Sequence, residues 1–142
     1  MKISTNSRYA LRFLMRIAMS KGRVTTLSVA NAEGISEKML ERIAAKLKKS
    51  GYVKSVKGIG GGYELAMPAE QITAAMVLKT METPYLPIHC IDGWEEDCRM
   101  SGNCVTLSLW KRIDEAIAAV TDSVTIADLA GELSARLQEI KG

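Results

Sequence analysis

The chain has 142 residues, of which 47% are hydrophobic and 25% charged, so it can form one or two small domains with a modest core. Its net charge of +3 is unevenly placed: residues 1–67 hold 13 Lys and Arg against 4 Asp and Glu, and residues 68–142 hold 6 against 12. No apolar run approaches the roughly 18 residues of a membrane span, and the start lacks the apolar core of a signal peptide. We therefore expect a cytoplasmic protein whose first half faces a polyanion.

The first predicted element is an amphipathic helix over residues 7–20. Its apolar residues recur at spacings of three and four, which is typical of one buried helix face. Basic residues recur every fourth position on another face, namely Arg8, Arg12 and Arg16. This helix therefore has a core side and a cationic side.

A short helix, a glycine turn and a capped helix follow. Thr25 or Thr26 can cap a short helix over residues 27–32, Gly34 can form the turn, and Ser36 can cap a third helix. This order of elements is that of a helix-turn-helix, a DNA-binding motif.

The segment after the third helix predicts a β-hairpin. The helix stops at Ser50 and Gly51, and residues 52–57 alternate apolar and polar side chains as a strand does. Residues 58–62 contain four glycines, and residues 63–66 form the returning strand. A nucleotide-binding phosphate loop is disfavoured because no GK[ST] ending follows and no helix begins there. The hairpin is instead expected to be the wing of a winged helix-turn-helix.

The third helix and the wing supply the candidate DNA contacts. Lys38, Glu41 and Arg42 occupy its first turns, where base-edge contacts usually arise. Arg and Lys can donate to guanine, and Glu can accept from cytosine, although Glu41 could instead pair with Lys38 or Lys48 along the helix. Basic residues on the wing and the first helix, Lys54, Lys57, Arg8 and Arg12, are expected to contact phosphates. The predicted DNA-binding set is Arg8, Ser36, Lys38, Glu41, Arg42, Lys54 and Lys57.

The second half of the chain is predicted to be helical around an irregular loop. Helices are expected over residues 69–82 and 104–120, and Thr125 can cap a last helix over residues 126–140. Residues 83–103 contain prolines and glycines and are expected to be irregular. The helix over 104–120 has so broad an apolar surface that we expect part of it to pack against another chain.

The only three cysteines in the chain lie close together at Cys90, Cys98 and Cys104. Their C-x7-C-x5-C spacing lacks the close pairs that structural zinc sites use. Wide spacing in a glycine- and proline-containing loop favours an iron–sulfur cluster, which separated thiolates can ligate. Reactive thiols without a metal are the alternative.

Several stretches together resemble one family. These are SRYALR at residues 7–12, ISEKMLERIAAKLKKSGYVKSVKG, GGGYELA, and the three-cysteine loop before LSLW. They are similar to the Rrf-two-type winged-helix transcriptional regulators, which include iron–sulfur sensors of the IscR, NsrR and RirA kind. The resemblance covers nearly the whole chain. It implies a mainly α fold with a small β-hairpin: a winged helix-turn-helix DNA-binding domain over residues 1–67 and a helical dimerisation region over 68–142, with a cluster-binding loop over 84–104.

The resemblance also implies a homodimer that binds a palindromic operator in double-stranded DNA, with a cluster held by the three cysteines. Two positions depart from the family pattern. Members with a 2Fe–2S cluster have a His where Leu107 stands, and some 4Fe–4S members have an Asp where Arg8 stands. The cysteine spacing favours 4Fe–4S over 2Fe–2S, and His89 is a candidate fourth ligand. The other candidates are an external small ligand and the acidic residues Glu95, Glu96 and Asp97.

The expected function is a DNA-binding regulator whose cluster senses iron, redox state or nitric oxide. A cluster-free DNA-binding thiol switch is the alternative. An enzyme is not expected, because the sequence shows neither a catalytic acid–base pair nor a substrate cleft.

Overall fold

The computed structural model describes residues 2–20, 22–82, 98–100 and 102–142. Helices dominate these ranges, and one two-stranded antiparallel hairpin accompanies them, which confirms the predicted mainly α fold. The elements are α1 (Thr5–Ser20), α2 (Thr26–Glu33), α3 (Glu37–Lys49), β1 (Val53–Val56), β2 (Gly62–Leu65), a 3-10 helix (Ala69–Gln71), α4 (Ala74–Met81), α5 (Val105–Ser123) and α6 (Ile126–Lys141).

Helix α1 lies at the centre of the molecule and packs against α2, α3, α4, α6 and β2. Its apolar stripe supplies Phe13 and Leu14 to a core that Leu40 and Leu47 enter from α3. The same core contains Ile72, Val77, Met81 and Ile126, which lie beyond the predicted boundary at 67/68. The two predicted regions therefore share one hydrophobic core.

The helix-turn-helix forms because local caps define each helix end. Thr25 accepts a hydrogen bond from the backbone N–H of Ser28 at 3.0 Å and begins α2. Ser36 accepts one from Met39 at 3.3 Å and begins α3. Each cap satisfies a backbone donor that the first helical turn would otherwise leave without a partner.

The wing is a regular hairpin that is fixed to the start of α2. Val53 pairs with Leu65 and Val56 pairs with Gly62 across the two strands. Val24, just before α2, forms two backbone hydrogen bonds with Tyr63, of 2.9 and 2.7 Å. These bonds form an isolated β-bridge beside the hairpin and fix the orientation of the hairpin relative to the helix-turn-helix.

The prediction of one helix over residues 69–82 was wrong at its start. A 3-10 turn comes first, and α4 begins only after Thr73. Ile72 and Thr73 are extended because their segment pairs with the one around Thr125: Ala74 donates to Val124 and Ile126 donates to Ile72, both at 2.8 Å. This long-range pairing outweighs the local preference for a continuous helix.

Helix α5 differs from the other long helices in how little of it is covered. It has no buried residue, and its main contact within the chain is with α4. Its exposed large apolar side chains include Val105 at 86%, Val120 at 63% and Leu109 at 46%. None of the helices in the described ranges is long and apolar enough to cross a membrane.

Candidate nucleic-acid interface and cysteine site

The side of α3 away from the core carries the predicted base-reading residues. Lys38, Glu41 and Arg42 are all exposed, whereas the neighbouring Leu40 and Ile43 are buried. No ion pair involves Glu41 within the part of the chain that the structure describes. The alternative pairing of Glu41 with Lys38 or Lys48 is therefore not formed, and Lys48 donates instead to Ser55 at 2.7 Å.

Two of the three arginines on the cationic face of α1 form ion pairs within the chain. Glu33 at the end of α2 forms an ion pair with Arg12 at 3.1 Å and accepts a hydrogen bond from Arg16 at 2.5 Å, and its side chain is only 7% exposed. Arg12 was expected to contact phosphates, but its Nε binds this carboxylate. Arg8, one turn earlier, is exposed and donates to Thr5 at 3.0 Å.

The wing carries a charge cluster that the sequence did not reveal. Glu64 of β2 lies 3.2 Å from Lys54 and 3.4 Å from Arg23, which comes from the segment between α1 and α2. The hydrogen bond from Lys54 is the largest of the effects that lower the pKa of Glu64, and Arg23 adds to it. Lys57 is exposed at the start of the turn and forms no ion pair with the described residues. Arg23 was missed because only the long-range Val24–Tyr63 pairing brings it to the wing.

The residue that follows α4, Glu82, lies beside the amino-terminal end of α1. Glu82 accepts from the backbone N–H of Ser4 at 2.7 Å and from the hydroxyl of Ser7 at 2.6 Å. Ser7 is fully buried, and its hydrogen bond is the main cause that lowers the pKa of Glu82. The carboxylate therefore joins the end of α4 to the first turn of α1.

Two of the three predicted cluster ligands lie in the described residues. Cys98 is exposed, and Cys104 is the residue that immediately precedes α5. The hydroxyl of Thr106 lies 3.2 Å from the Cys104 sulfur, and this contact, followed by the backbone N–H of Leu107, lowers the pKa of the thiol. A helix amino terminus stabilises a thiolate in the same sense.

Cys90 and His89 lie outside the described residues, as do Glu95, Glu96 and Asp97. Within the described ranges, no three His, Cys, Asp or Glu side chains form a group that could hold a metal ion. Cysteine thiolates are the usual ligands of iron–sulfur clusters, and the two described cysteines would fit such a group as ligands.

Comparison with known proteins identifies the family of this chain. The family model described as "Iron-dependent Transcriptional regulator", Rrf2, matches residues 3–132. The chain belongs to the Rrf2 family of transcriptional regulators. Its named relatives are regulators of transcription and not enzymes, and the family implies DNA binding.

Regulators named CymR and IscR are among the similar proteins. CymR of Bacillus subtilis is 36% identical over 132 residues, with 92% of this chain and 90% of that protein covered. IscR of Aliivibrio salmonicida is 30% identical over 131 residues, with 91% and 77% covered. The solved structure of B. subtilis CymR, titled as the global cysteine regulator, superposes with a TM-score of 0.79 at 34% identity, covering 93% of this chain and 98% of that one.

Proposed function

We propose that this Rrf2 regulator is a cytoplasmic homodimer that binds a palindromic DNA operator, and that an iron–sulfur cluster on Cys90, Cys98 and Cys104 controls the binding. The observation that carries the proposal is the position of Cys104. This thiol has a lowered pKa and stands at the start of α5, which packs on α4, and α4 in turn packs on α1. A change at the cysteines can therefore reach the core of the DNA-binding region through two helix contacts.

The DNA-binding side of the proposal rests on α3 and the wing. Exposed Lys38 and Arg42 can donate to guanine O6 and N7, and Glu41 can accept from the amine of cytosine. A carboxylate facing DNA without a partner cation is repelled by phosphates, so its unpaired state in the free protein favours a role in base recognition. Ser36, which caps α3, and the basic residues Arg8, Lys54 and Lys57 would position the protein on the DNA backbone.

The homodimer is supported by the exposure of α5. Apolar side chains such as Val105, Leu109 and Val120 would be covered if this helix packed against its equivalent in a second chain. A dimer of this kind would place two copies of α3 in successive major grooves, which is what a palindromic site requires. In this proposal residues 1–67 read DNA, and residues 68–142 hold the dimer together and carry the cluster loop over 84–104.

The cluster assignment follows the donor set. Three thiolates can ligate iron, and the cluster would supply a redox- and iron-responsive centre. Leu107 lies in the first turn of α5, and its aliphatic side chain offers no ligand where 2Fe–2S members have a His. We therefore favour a 4Fe–4S cluster, with His89 as a candidate fourth ligand, and a signal of iron, redox state or nitric oxide.

A second candidate is a cluster-free thiol switch. The similarity to CymR favours it, because that protein is titled a cysteine regulator. The exposed Cys98 and the lowered pKa of Cys104 also suit direct oxidation of a thiolate.

Anaerobic purification, an absorbance spectrum, and iron and sulfide analysis per monomer separate the two candidates. We expect the wild type to show visible charge-transfer bands and matching amounts of iron and sulfide per monomer. Replacing any one of Cys90, Cys98 or Cys104 by Ala should remove the bands, the iron and the sulfide, while the dimer stays folded. A colourless, sulfide-free protein that still binds a palindromic duplex would establish the thiol switch instead. Unchanged spectra in all three variants would overturn the assignment of these cysteines as the cluster ligands.

A further inference from the structure

The tip of the wing presents a single side chain, and that side chain is apolar. Ile59 lies between Gly58 and Gly60 and is completely exposed. Lone exposed apolar residues are common on protein surfaces, so exposure alone does not indicate a function. The surroundings of Ile59 distinguish it, because it projects from the strongly basic half of the chain at the end of a narrow hairpin.

The hairpin holds Ile59 in a defined place. A Cβ atom on Gly61 would overlap the carbonyl oxygen of Val56, and one on Gly62 would lie 2.5 Å from the carbonyl oxygen of Val24. The backbone of the wing is therefore packed too closely for side chains at these two positions. Just after the turn, the Tyr63 ring of β2 packs edge-on against Phe13 of α1, with ring centroids 5.7 Å apart.

Cations flank the apolar tip. Lys57 is exposed two residues before Ile59, and the Arg23 guanidinium lies 3.4 Å from the carbonyl oxygen of Gly60. Lys57 suits a DNA phosphate beside the tip, whereas Arg23 also pairs with Glu64 and holds the turn. The sec-butyl side chain of Ile59 can neither donate nor accept a hydrogen bond, so in a DNA groove it can contact the bases only by packing against them.

The dimensions of DNA indicate which groove this is. If α3 occupies the major groove, the wing that follows it reaches the adjacent groove. The minor groove is only about 6 Å wide, and a hairpin tip with one side chain can enter it where a helix cannot. Its floor carries the 2-amino group of guanine at G·C pairs and no amine at A·T pairs.

We propose that Ile59 enters the minor groove beside each half-site and selects against guanine there, by occupying the space of the 2-amino group. An aliphatic side chain cannot accept a hydrogen bond from that amine, so covering it leaves a buried donor without a partner. This inference rests on the proposed operator binding, and it adds a minor-groove reader to the major-groove residues of α3.

Modified bases test the proposal directly. The wild-type dimer is first used to select an operator from a randomised duplex library. Each adenine of that operator is then replaced in turn by 2,6-diaminopurine, which adds the minor-groove amine and leaves the major-groove pattern of adenine unchanged. We expect about a tenfold loss of wild-type affinity at one or two positions flanking each half-site, comparable to a mismatched base pair.

The variant Ile59→Ala should lose most of the affinity penalty caused by diaminopurine, while its base preference in the major groove stays unchanged. Ile59→Val should retain part of the diaminopurine penalty. The matched control is Ile140→Ala, which removes another highly exposed isoleucine from the end of α6 and should behave as wild type. Equal diaminopurine penalties in wild type and Ile59→Ala would overturn this inference and leave operator binding intact. Failure of the wild type to select any duplex would overturn operator binding itself, and this inference with it.

Discussion

The carboxylate of Glu82 accepts a hydrogen bond from the buried hydroxyl of Ser7 at 2.6 Å and one from the backbone N–H of Ser4 at 2.7 Å. Glu82 is the last described residue before the segment that contains Cys90, and Ser7 lies in the first turn of α1. The contact thus joins the residue at the end of α4 to the first turn of α1.

Replacing Glu82 by Ala should lower the free energy of unfolding by about 1–3 kcal/mol, because it removes two hydrogen bonds to a charged acceptor and leaves the buried Ser7 hydroxyl short of a partner. Urea denaturation at neutral pH measures this change. Glu70→Ala, at an exposed glutamate of the 3-10 helix, is the matched control and should have little effect. Equal stabilities of the two variants would contradict a structural role for this contact.

The same contact predicts a dependence of stability on pH. Since folding lowers the pKa of Glu82, its contribution is fully present above the pKa of the unfolded chain, about 4.3, and is lost as pH falls through the lower folded value. The difference in unfolding free energy between wild type and Glu82→Gln should therefore shrink on acidification from neutral pH. A difference that stays constant down to strongly acidic pH would show that the ionised carboxylate is not the stabilising species.

Glu33→Ala should also destabilise the fold, by about 1–3 kcal/mol, because two arginines lose a nearly buried carboxylate. The partial exposure of Arg12 and Arg16 keeps the expected cost below that of a fully buried pair. The control is Glu132→Ala, at an exposed position of α6. A thermal or urea midpoint equal to that of the control would show that water or other partners replace Glu33 for the two arginines without loss of stability.

Lys57→Ala should weaken binding to all operator sequences alike and lower the slope of log affinity against log salt by about one. The reason is that a phosphate contact releases counterions and does not distinguish bases. Lys141→Ala, an exposed lysine at the end of α6, is the control. A slope that is the same for both variants and the wild type would remove Lys57 from the phosphate contacts.

Glu41→Ala should relax the base preference at one position in each half-site, with discrimination reduced by about 1–3 kcal/mol, because the carboxylate no longer accepts from cytosine. Competition binding against operators substituted at each position measures the change. Uniform weakening across all substituted operators would mean that Glu41 reads no base.

Local signals account for the parts of the fold that the sequence predicted. Thr25, Ser36 and Thr125 each cap the helix that follows, and a cap depends only on residues within one turn. The hairpin was predictable because its alternating strands flank a glycine-rich turn. The boundaries of α1 and α5 differed from the predictions by a few residues, since helix ends depend on packing as well as on sequence.

Features that depend on long-range pairing could not be predicted in this way. The break before α4 arises because Ile72 and Thr73 pair with residues some fifty positions later. The ion pair between Arg12 and Glu33 and the position of Arg23 beside the wing also depend on contacts between different elements of the fold. At the cysteine site, the spacing of the three thiols favoured a cluster, but the Thr106 contact that lowers the pKa of Cys104 became visible only in the structure.

The most direct test of cluster control is the operator affinity of one protein preparation before and after anaerobic removal of its iron and sulfide. We expect the affinity of the wild type to change by about tenfold or more, the scale of a typical coupling free energy between two sites. The Cys104→Ala variant should show a single affinity under both conditions. One operator affinity shared by the wild type with its cluster, the wild type without it, and the variant would contradict control of DNA binding by the cysteine site.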